Sequence, residues 1–304
     1  MKNYKKIIIK TFVVLFMVFL LIFNLILTNE NKILNTRLDT EEQYFVSNSN
    51  EKFIHISIDD TIDIFKDLTN NDYKSIFNNS TLNFLLNMHN RYGAKFSIYV
   101  FEEYDNFNLK NCTDYFKKEF ENNSSWLKFG FHAYNNSENY NTIDTKKIVD
   151  EYNEVLKQLK RIVGEASITN VVRLEKFIIN KENAKALENI ENGIVGLLGA
   201  DTIDRQDYYL DEEENNKLFK DDYYYDNENN IFLYNTDFRI ENLNYYNIEN
   251  ELKEYEDDNN LIIFTHERFF TDGIKNKIAE KLKIIKICEY AIYTGYRFDF
   301  PMKK

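Results

Sequence analysis

Two acidic residues and two histidines follow short apolar runs at widely separated places in the sequence: Asp59, Asp60, His132 and His266. An aspartate and a histidine can hold a divalent metal ion such as zinc, which lowers the pKa of bound water and polarises a carbonyl oxygen. A second carboxylate can take a proton from that water, and a second histidine can donate one to the leaving group. Because Asp59 and Asp60 are adjacent, one could bind the ion while the other acts as base.

Other polar residues also stand where predicted strands end. Taken singly, each has an ordinary explanation, since an aspartate after a strand is commonly a helix cap and an arginine commonly an ion-pair partner. In β/α barrels, however, the carboxyl ends of all strands meet at one rim, where the chemistry takes place. The whole set therefore predicts one shared site. Its members are Asp59, Asp60, His132, Arg173, Asp201, Asp237, Arg239, Thr265, His266 and Glu267.

The elements that must position these residues alternate regularly. Short apolar runs and helical stretches follow one another from residue 53 onward, which is typical of a parallel sheet with crossover helices. The pattern predicts an α/β fold, a closed or nearly closed barrel of seven to eight strands, with an open doubly wound sheet as the main alternative. The sequence contains no G-x-G-x-x-G or Walker loop, which disfavours a nucleotide ligand. Strands are predicted at 53–58, 95–101, 127–131, 168–172, 194–198, 231–238 and 261–264, and helices at 81–91, 113–121, 142–163, 182–190, 248–256 and 274–287.

The strand-end motifs resemble those of the NodB-homology polysaccharide deacetylases, also called carbohydrate esterase family 4. Residues 57–61 (Ser-Ile-Asp-Asp-Thr) occupy the place of the family's Thr-Phe-Asp-Asp-Gly motif, and residues 94–100 resemble its second strand. Residues 132–136 (His-Ala-Tyr-Asn-Asn) align with its His-[Ser/Thr]-x-x-His metal motif. Arg173 falls where the third motif begins, and residues 261–267 resemble the late strand with the catalytic histidine. The resemblance covers residues 53–270.

This resemblance implies a distorted NodB-type barrel and a hydrolase that removes N- or O-acetyl groups from a cell-surface glycan. It implies that Asp59 is the general base, that His266 is the general acid, and that Asp60 and His132 are metal ligands, with Arg173 as a further catalytic residue. It also implies one divalent metal ion as cofactor, first of all zinc, with manganese or magnesium as alternatives. The partner it implies is the acetylated glycan substrate.

The sequence departs from the family pattern at the metal motif. Asn136 stands where a second histidine is expected, Thr61 replaces a glycine, and Pro301 is the only proline, so the family's Arg-Pro-Pro stretch is absent. Asn136 or a carboxylate of Glu175 or Asp201 could supply the third ligand, and such oxygen ligands would help Mn²⁺ or Mg²⁺ to compete with zinc.

We expect Asn136 and Glu175 to join the metal site, while the remaining rim residues contact substrate. Asn136 also favours an alternative, namely a catalytically degenerate barrel that binds glycan or an envelope-assembly partner. A glycosidase with paired carboxylates is a weaker option that would not require the two histidines. The expected substrate contacts are Asp201, Asp237, Arg239 and Glu267.

The N-terminal region predicts a membrane anchor. Residues 11–28 carry no charge and, as a helix, would span about 27 Å, close to the thickness of the hydrocarbon core of a bilayer. Lys2, Lys5, Lys6 and Lys10 precede this run, which favours a cytoplasmic N-terminus. A cleaved signal peptide is the alternative, although no small-x-small cleavage site follows. The sequence thus predicts a cytoplasmic segment 1–10, a transmembrane anchor 11–28, a linker 29–50 and a catalytic domain 51–304 outside the cytoplasm.

The composition excludes some partner classes. The net charge of the 304 residues is −12, and the first 28 residues hold four lysines and no acid. The remainder therefore carries 34 basic and 50 acidic residues, or −16, which repels phosphate backbones and excludes nucleic acid as a partner. Two cysteines, Cys112 and Cys288, are too few for a disulfide framework, so we expect two buried thiols, with a single disulfide left open.

Overall fold

The computed structural model of the protein describes residues 16–18, 52–256 and 258–301. Residues 16–18 are helical, and residues 51–304 form a compact unit separate from residues 1–50. Within the described ranges, no helix is both long enough and apolar enough to cross a membrane. The predicted cytoplasmic segment, the predicted linker and most of the predicted anchor lie outside the described residues.

The described part of the larger unit alternates strands and helices along the chain. Its strands are β1 (Lys52–Thr61), β2 (Phe96–Phe101), β3 (Glu103–Tyr104), β4 (Phe107–Asn108), β5 (Leu127–Ala133), β6 (Val171–Val172), β7 (Ile178–Ile179), β8 (Gly196–Leu198), β9 (Asp207–Tyr208), β10 (Tyr223–Asp226), β11 (Ile231–Tyr234), β12 (Phe238–Arg239), β13 (Asn260–His266) and β14 (Tyr296–Phe298). Its helices are α1 (Asp63–Asn70), α2 (Ser80–Tyr92), α3 (Lys117–Asn122), α4 (Thr145–Ile162), α5 (Lys181–Glu188), α6 (Glu212–Asp221), α7 (Ile248–Leu252), α8 (Arg268–Thr271) and α9 (Ile274–Tyr293).

The main sheets together form a distorted ring. One sheet has the parallel order β12-β13-β1-β2-β5, with β14 also parallel to the start of β1. The other has the order β10-β11-β8-β6, in which only the β10–β11 pair is antiparallel. The backbone N–H of Thr169 donates to Phe129 in β5 at 2.9 Å, and that of Asp237 donates to Ile262 in β13 at 2.8 Å. These links join the sheets on both sides, which favours the predicted barrel over an open doubly wound sheet.

Strand β1 lies at the centre of the first sheet and carries different residue types on its two faces. Ile54, Ile56 and Ile58 are fully buried, as expected for a strand with both faces covered. Because side chains alternate along a strand, Ser57 and Asp59 lie together on the opposite face. Both contact the guanidinium of Arg173, which is itself fully buried. The alternation of side chains along β1 therefore places Ser57 and Asp59 on the face with Arg173, and Asp59 lies at the rim.

Several predicted boundaries are confirmed and others are wrong. Helix α2 (Ser80–Tyr92) extends the predicted helix 81–91 by one residue at each end. Asn79 caps its start, and the left-handed backbone of Gly93 (φ +69°) ends it and lets the Gly93 N–H donate to the carbonyl oxygen of His89. The predicted strand 231–238 breaks into β11 and β12, and the predicted helix 113–121 begins only at Lys117. Cys112 and Cys288 are buried free thiols.

Candidate metal centre and active site

Three predicted residues, Asp60, His132 and Glu175, converge at the carboxyl ends of β1, β5 and β6. Nε2 of His132 lies 3.1 Å from Oδ1 of Asp60 and 3.1 Å from Oε2 of Glu175. Each residue offers one ligand atom, and the three atoms lie within 4.8 Å of one another. The group could therefore hold a metal ion.

The backbone orients these three side chains. Asp60 has φ +58° at the end of β1, a left-handed conformation that is uncommon outside glycine and turns the chain out of the strand. Lys176 and Phe177 have φ values of +59° and +56°, so the chain also turns sharply directly after Glu175. Local backbone strain of this kind concentrates at functional sites.

The ring of His132 is fixed from the side opposite the carboxylates. Its Nδ1 lies 2.6 Å from the carbonyl oxygen of Arg173, so Nδ1–H donates to that oxygen and Nε2 is left for the carboxylates or a metal ion. Burial lowers the pKa of His132, but hydrogen bonds to Asp60 and Glu175, together with the charge of Asp59, raise it to about 10. Without a metal ion, a proton on Nε2 thus bridges the two carboxylates.

The donor set fits a divalent ion. A neutral imidazole nitrogen and two carboxylate oxygens are ligands that zinc and harder divalent ions accept. The side chains of Asp60 and Glu175 are 31% and 17% exposed, so water can reach the ligand atoms from one side. Such an open side distinguishes the group from structural zinc sites, which enclose the ion with four protein ligands.

Asp59 lies beside this group and is held by a buried arginine. Nε of Arg173 is 3.2 Å from Oδ2 of Asp59, and Nη1 of Arg173 donates to the Gly199 carbonyl at 2.6 Å and to Oγ1 of Thr236 at 2.8 Å. Burial raises the pKa of Asp59 to about 6, against the opposing charge of Arg173. Oδ1 of Asp59 has no hydrogen-bond partner among the described residues. Asp59 thus offers an unused acceptor with the near-neutral pKa that suits a general base.

His266 stands at the end of β13, which is the parallel neighbour of β1, and Asp59 pairs with it in register. Its Nδ1 lies 2.6 Å from Oε1 of Glu241, and its Nε2 lies 3.9 Å from Oδ2 of Asp60. Burial lowers the pKa of His266, but its hydrogen bond to Glu241 and the charge of Glu241 raise it overall. An imidazolium oriented in this way can donate a proton through Nε2.

Glu241 was missed by the sequence analysis. It follows Arg239 by two residues in the Thr-Asp-Phe-Arg-Ile-Glu stretch, and it is the carboxylate that orients His266. The apolar pattern predicts one strand over residues 231–238, which places Asp237 and Arg239 at its rim end. Because the strand breaks before β12, the residue that reaches the rim beside His266 is Glu241.

Asp201 and Arg239 form a polar cluster near His266. Nε and Nη2 of Arg239 bind the two oxygens of Asp201 at 2.9 and 3.1 Å, and Nη1 of Arg205 binds the same carboxylate at 2.6 Å. The guanidinium of Arg239 lies 5.5 Å from the ring centroid of Phe264, whose ring is 5.4 Å from that of His266. A cation–π contact and an edge-to-face ring contact therefore connect this cluster to the end of β13.

Asn136 lies on the exposed turn after β5. Its carbonyl oxygen accepts a hydrogen bond of 2.6 Å from Nζ of Lys176. This bond ties the turn to the residue that follows Glu175. Glu175 is the third member of the group of His and acidic side chains whose donor atoms lie within 4.8 Å of one another.

Two residues predicted to contact substrate, Asp237 and Glu267, accept hydrogen bonds from the backbone of the domain itself. Oδ2 of Asp237 accepts a hydrogen bond of 2.6 Å from the backbone of Ile262, four residues before the rim residue His266. Glu267 is 2% exposed, and its carboxylate accepts hydrogen bonds of 2.7, 2.7 and 2.8 Å from the backbone N–H groups of residues 62, 63 and 64. Strand-end position alone does not reveal which side chains bind backbone amides.

Replacement of Glu267 by alanine is expected to lower the free energy of unfolding by about 3 kcal/mol, because three backbone N–H donors at the start of α1 lose their acceptor. Urea denaturation followed by circular dichroism measures the loss. Glu267→Gln, which keeps an acceptor oxygen, should lose less, and the exposed Glu191→Ala should change stability by no more than about 0.5 kcal/mol. Equal stability of Glu267→Ala and the wild type would contradict the capping role.

Comparison with known proteins finds likeness in structure and not in sequence. No family model and no curated protein matches the sequence. Among solved structures, a peptidoglycan N-acetylglucosamine deacetylase is 13% identical and covers 83% of this chain and 87% of its own, with a TM-score of 0.46. A family 4 acetyl xylan esterase from Clostridium thermocellum, in complex with a cobalt ion, is also 13% identical, covering 82% and 87%, with a TM-score of 0.45.

Polysaccharide deacetylases and family 4 carbohydrate esterases are among the structural matches of this chain. A 4-alpha-glucanotransferase from Thermococcus litoralis, at 15% identity, also matches with a TM-score of 0.51, over 82% of this chain and 39% of the glucanotransferase. At such low identities these likenesses concern the fold alone. The chemistry of this α/β domain must therefore be argued from its own side chains.

Proposed function

We propose that the domain is a metal-dependent hydrolase that removes N- or O-acetyl groups from a surface glycan. The observation that carries the proposal is the arrangement around one rim: the Asp60–His132–Glu175 group, a buried carboxylate beside it, and a second histidine beside a glutamate. A binding module would need neither a paired base nor an oriented acid next to three potential ligands.

Each side chain has a role in this proposal. Asp60, His132 and Glu175 hold one divalent ion, which when bound would activate water and polarise the acetyl carbonyl group. Asp59 takes the proton of the attacking water through its unpartnered Oδ1, while Arg173 holds its other oxygen. His266, oriented by Glu241, donates a proton to the departing sugar nitrogen or oxygen. The Asp201–Arg239 pair contacts the sugar.

The ligand set also bears on which ion is used. Two carboxylates and one imidazole make a harder set than one carboxylate and two imidazoles. Zinc remains the first candidate, but Mn²⁺ and Mg²⁺ compete better at a site of this composition. Asn136 could add an amide oxygen to the same ion.

Acetate release from acetylated oligosaccharides tests the proposed activity. The purified protein is stripped with a chelator and assayed alone and after addition of Zn²⁺, Mn²⁺ or Mg²⁺. Metal-dependent release of acetate supports the hydrolase. If no acetate is released with any ion, while the oligosaccharide binds with a measurable Kd, the degenerate binding-module alternative is favoured. Chain cleavage without acetate release would indicate a glycosidase instead.

We also propose that the N-terminus anchors the protein in the cell membrane and that the domain lies outside the cytoplasm. The uncharged run 11–28 behind four lysines motivates this topology. A reporter enzyme that functions only outside the cytoplasm should be active when it is fused after Lys304. The full-length chain should stay in the membrane fraction. Recovery of a soluble form that begins near residue 30 would show cleavage and contradict the anchor.

A further inference from the structure

The first turns of α9 expose a stripe of aliphatic side chains. Ile274, Ile278 and Leu282 are 78%, 55% and 37% exposed. Residues four apart lie on the same face of a helix, so these three form a line about 12 Å long. Elsewhere on α9, Ile284, Ile287, Cys288 and Ala291 are buried, so α9 packs by its other side and leaves this line uncovered.

The charges along this stripe have one sign. Lys275, Lys277 and Lys281 flank the aliphatic residues, and none of them forms an ion pair within the described part of the chain. Glu280 is the one acidic residue of this stretch, but it is buried and accepts a hydrogen bond of 2.5 Å from Thr265. Further along the helix, Lys286 pairs with Glu249 and Glu289. Along α9, the lysines without an ion pair among the described residues are therefore those beside the exposed aliphatic residues.

The neighbouring helix extends this basic character. Helix α2, which packs against α9, contains no acidic residue in its sequence. Nζ of Lys281 lies 5.4 Å from the ring centroid of Phe84 on α2 and reaches the carbonyl oxygen of Ser80 at 3.5 Å. The lysine stem thus lies along apolar surface while its charged end stays accessible, a common arrangement at membrane interfaces.

We propose that this basic face of α9, formed by Ile274, Lys275, Lys277, Ile278, Lys281 and Leu282, binds the surface of an anionic lipid bilayer. An interfacial helix inserts an apolar line between headgroups while flanking lysines contact anionic lipids. Three aliphatic side chains are too few for a stable protein interface, which buries about 800 Å² on each partner. Charge complementarity also favours lipid, because the three lysines of this face attract an anionic surface that residues 51–304 as a whole, with a net charge of −14, would repel.

The position of this face links it to the candidate active site. Helix α9 begins eight residues after His266, so Ile274 lies near the rim end of the barrel and Leu282 two turns further along the helix. Binding of lipid along α9 would therefore hold the rim close to the bilayer. The lipid contact requires neither the proposed hydrolase activity nor the predicted anchor.

Lipid-attached quenchers test this contact in the full-length protein. Ile278→Cys is labelled with a fluorophore and reconstituted into vesicles of neutral phosphatidylcholine or of the same lipid with phosphatidylglycerol. Both native cysteines are buried, so labelling can be directed to the new thiol. We expect quenching at Ile278→Cys to be at least about threefold stronger in the anionic vesicles and to fall at high salt. Tyr246→Cys, at a residue that is 94% exposed, should show no such increase.

Charge variants distinguish contact between α9 and lipid from tethering of the domain by the predicted anchor alone. Lys275→Gln, Lys277→Gln and Lys281→Gln together should abolish the increase in anionic vesicles. Lys118→Gln, Lys157→Gln and Lys181→Gln together remove the same charge from ion-paired lysines elsewhere and should leave it intact. Equal quenching at 278 in neutral and anionic vesicles, or an equal effect of the two triple variants, would overturn the lipid contact. Acetate release measured alongside reports the hydrolase activity independently.

Discussion

Asp59→Asn is expected to lower kcat for acetate release by about 100-fold or more, on the scale of a lost general base. The amide cannot accept the proton of the attacking water, although it keeps nearly the same shape. His266→Ala should cause a loss of similar size, because the leaving group then departs without a proton. Both variants are compared with wild type at saturating metal and substrate.

The controls for Asp59→Asn must separate chemistry from folding. The substitution leaves the fully buried Arg173 without its anionic partner, which lowers stability, so thermal unfolding is followed in parallel. Asp237→Asn is the matched control, because it changes another strand-end carboxylate, half-buried, whose partner is a backbone amide. Wild-type turnover by a folded Asp59→Asn protein would remove Asp59 from the mechanism.

The pH profile adds a second readout for the base. Burial raises the pKa of Asp59 to about 6, and only the deprotonated carboxylate can act as base. Acetate release should therefore rise with pH through about 6 or somewhat below, since a bound cation lowers that pKa. His266 acts in its protonated form, so its raised pKa extends activity towards alkaline pH before release declines.

Asp60→Ala and His132→Ala are each expected to abolish saturable binding of Zn²⁺ and Mn²⁺ in calorimetric titrations of the metal-free protein. Each variant removes one of three potential ligands whose donor atoms lie within 4.8 Å of one another. Glu175→Gln should weaken binding, and comparison with Asn136→Ala should tell which of the two residues supplies the third ligand. No binding of any divalent ion by wild type at millimolar concentration would exclude the metal mechanism.

Metal binding should also be coupled to proton release. Hydrogen bonds to Asp60 and Glu175 outweigh burial and raise the pKa of His132 to about 10, so below that pH an entering ion displaces the Nε2 proton. The apparent affinity should then increase about tenfold per pH unit between pH 6 and 8. Titrations in two buffers with different ionisation enthalpies should give about one proton released per ion, and none if His132 is not a ligand.

The central part of the site could be predicted because it depends on simple regularities. Asp59, Asp60, His132 and His266 follow apolar runs, and parallel strands bring such positions to one rim. The third member of the metal group, beside Asp60 and His132, could not be chosen from Asn136, Glu175 and Asp201, because the choice depends on the left-handed turn after Glu175. That turn is formed by ordinary residues, Lys176 and Phe177, which give no sign of it in the sequence.

Other features depend on contacts that no local pattern contains. Glu241 reaches His266 because the chain breaks at residues 235–237 before β12, whereas the apolar pattern reads as one continuous strand. The carboxylate of Glu267 binds the backbone of residues about 200 positions earlier in the chain. The two-residue strands β6 and β12 form because they pair with neighbouring strands. Two residues are too few to show a periodic pattern in the sequence.

Glu267 also connects the ends of two neighbouring strands. Its backbone N–H donates to the carbonyl oxygen of Asp59 at 3.0 Å, while its carboxylate binds the amides that follow β1, so it braces the ends of β1 and β13 against each other. The proposed base and acid lie on those two strand ends. Their mutual geometry is thus preorganised when the domain folds, and little reorganisation remains at the moment of proton transfer.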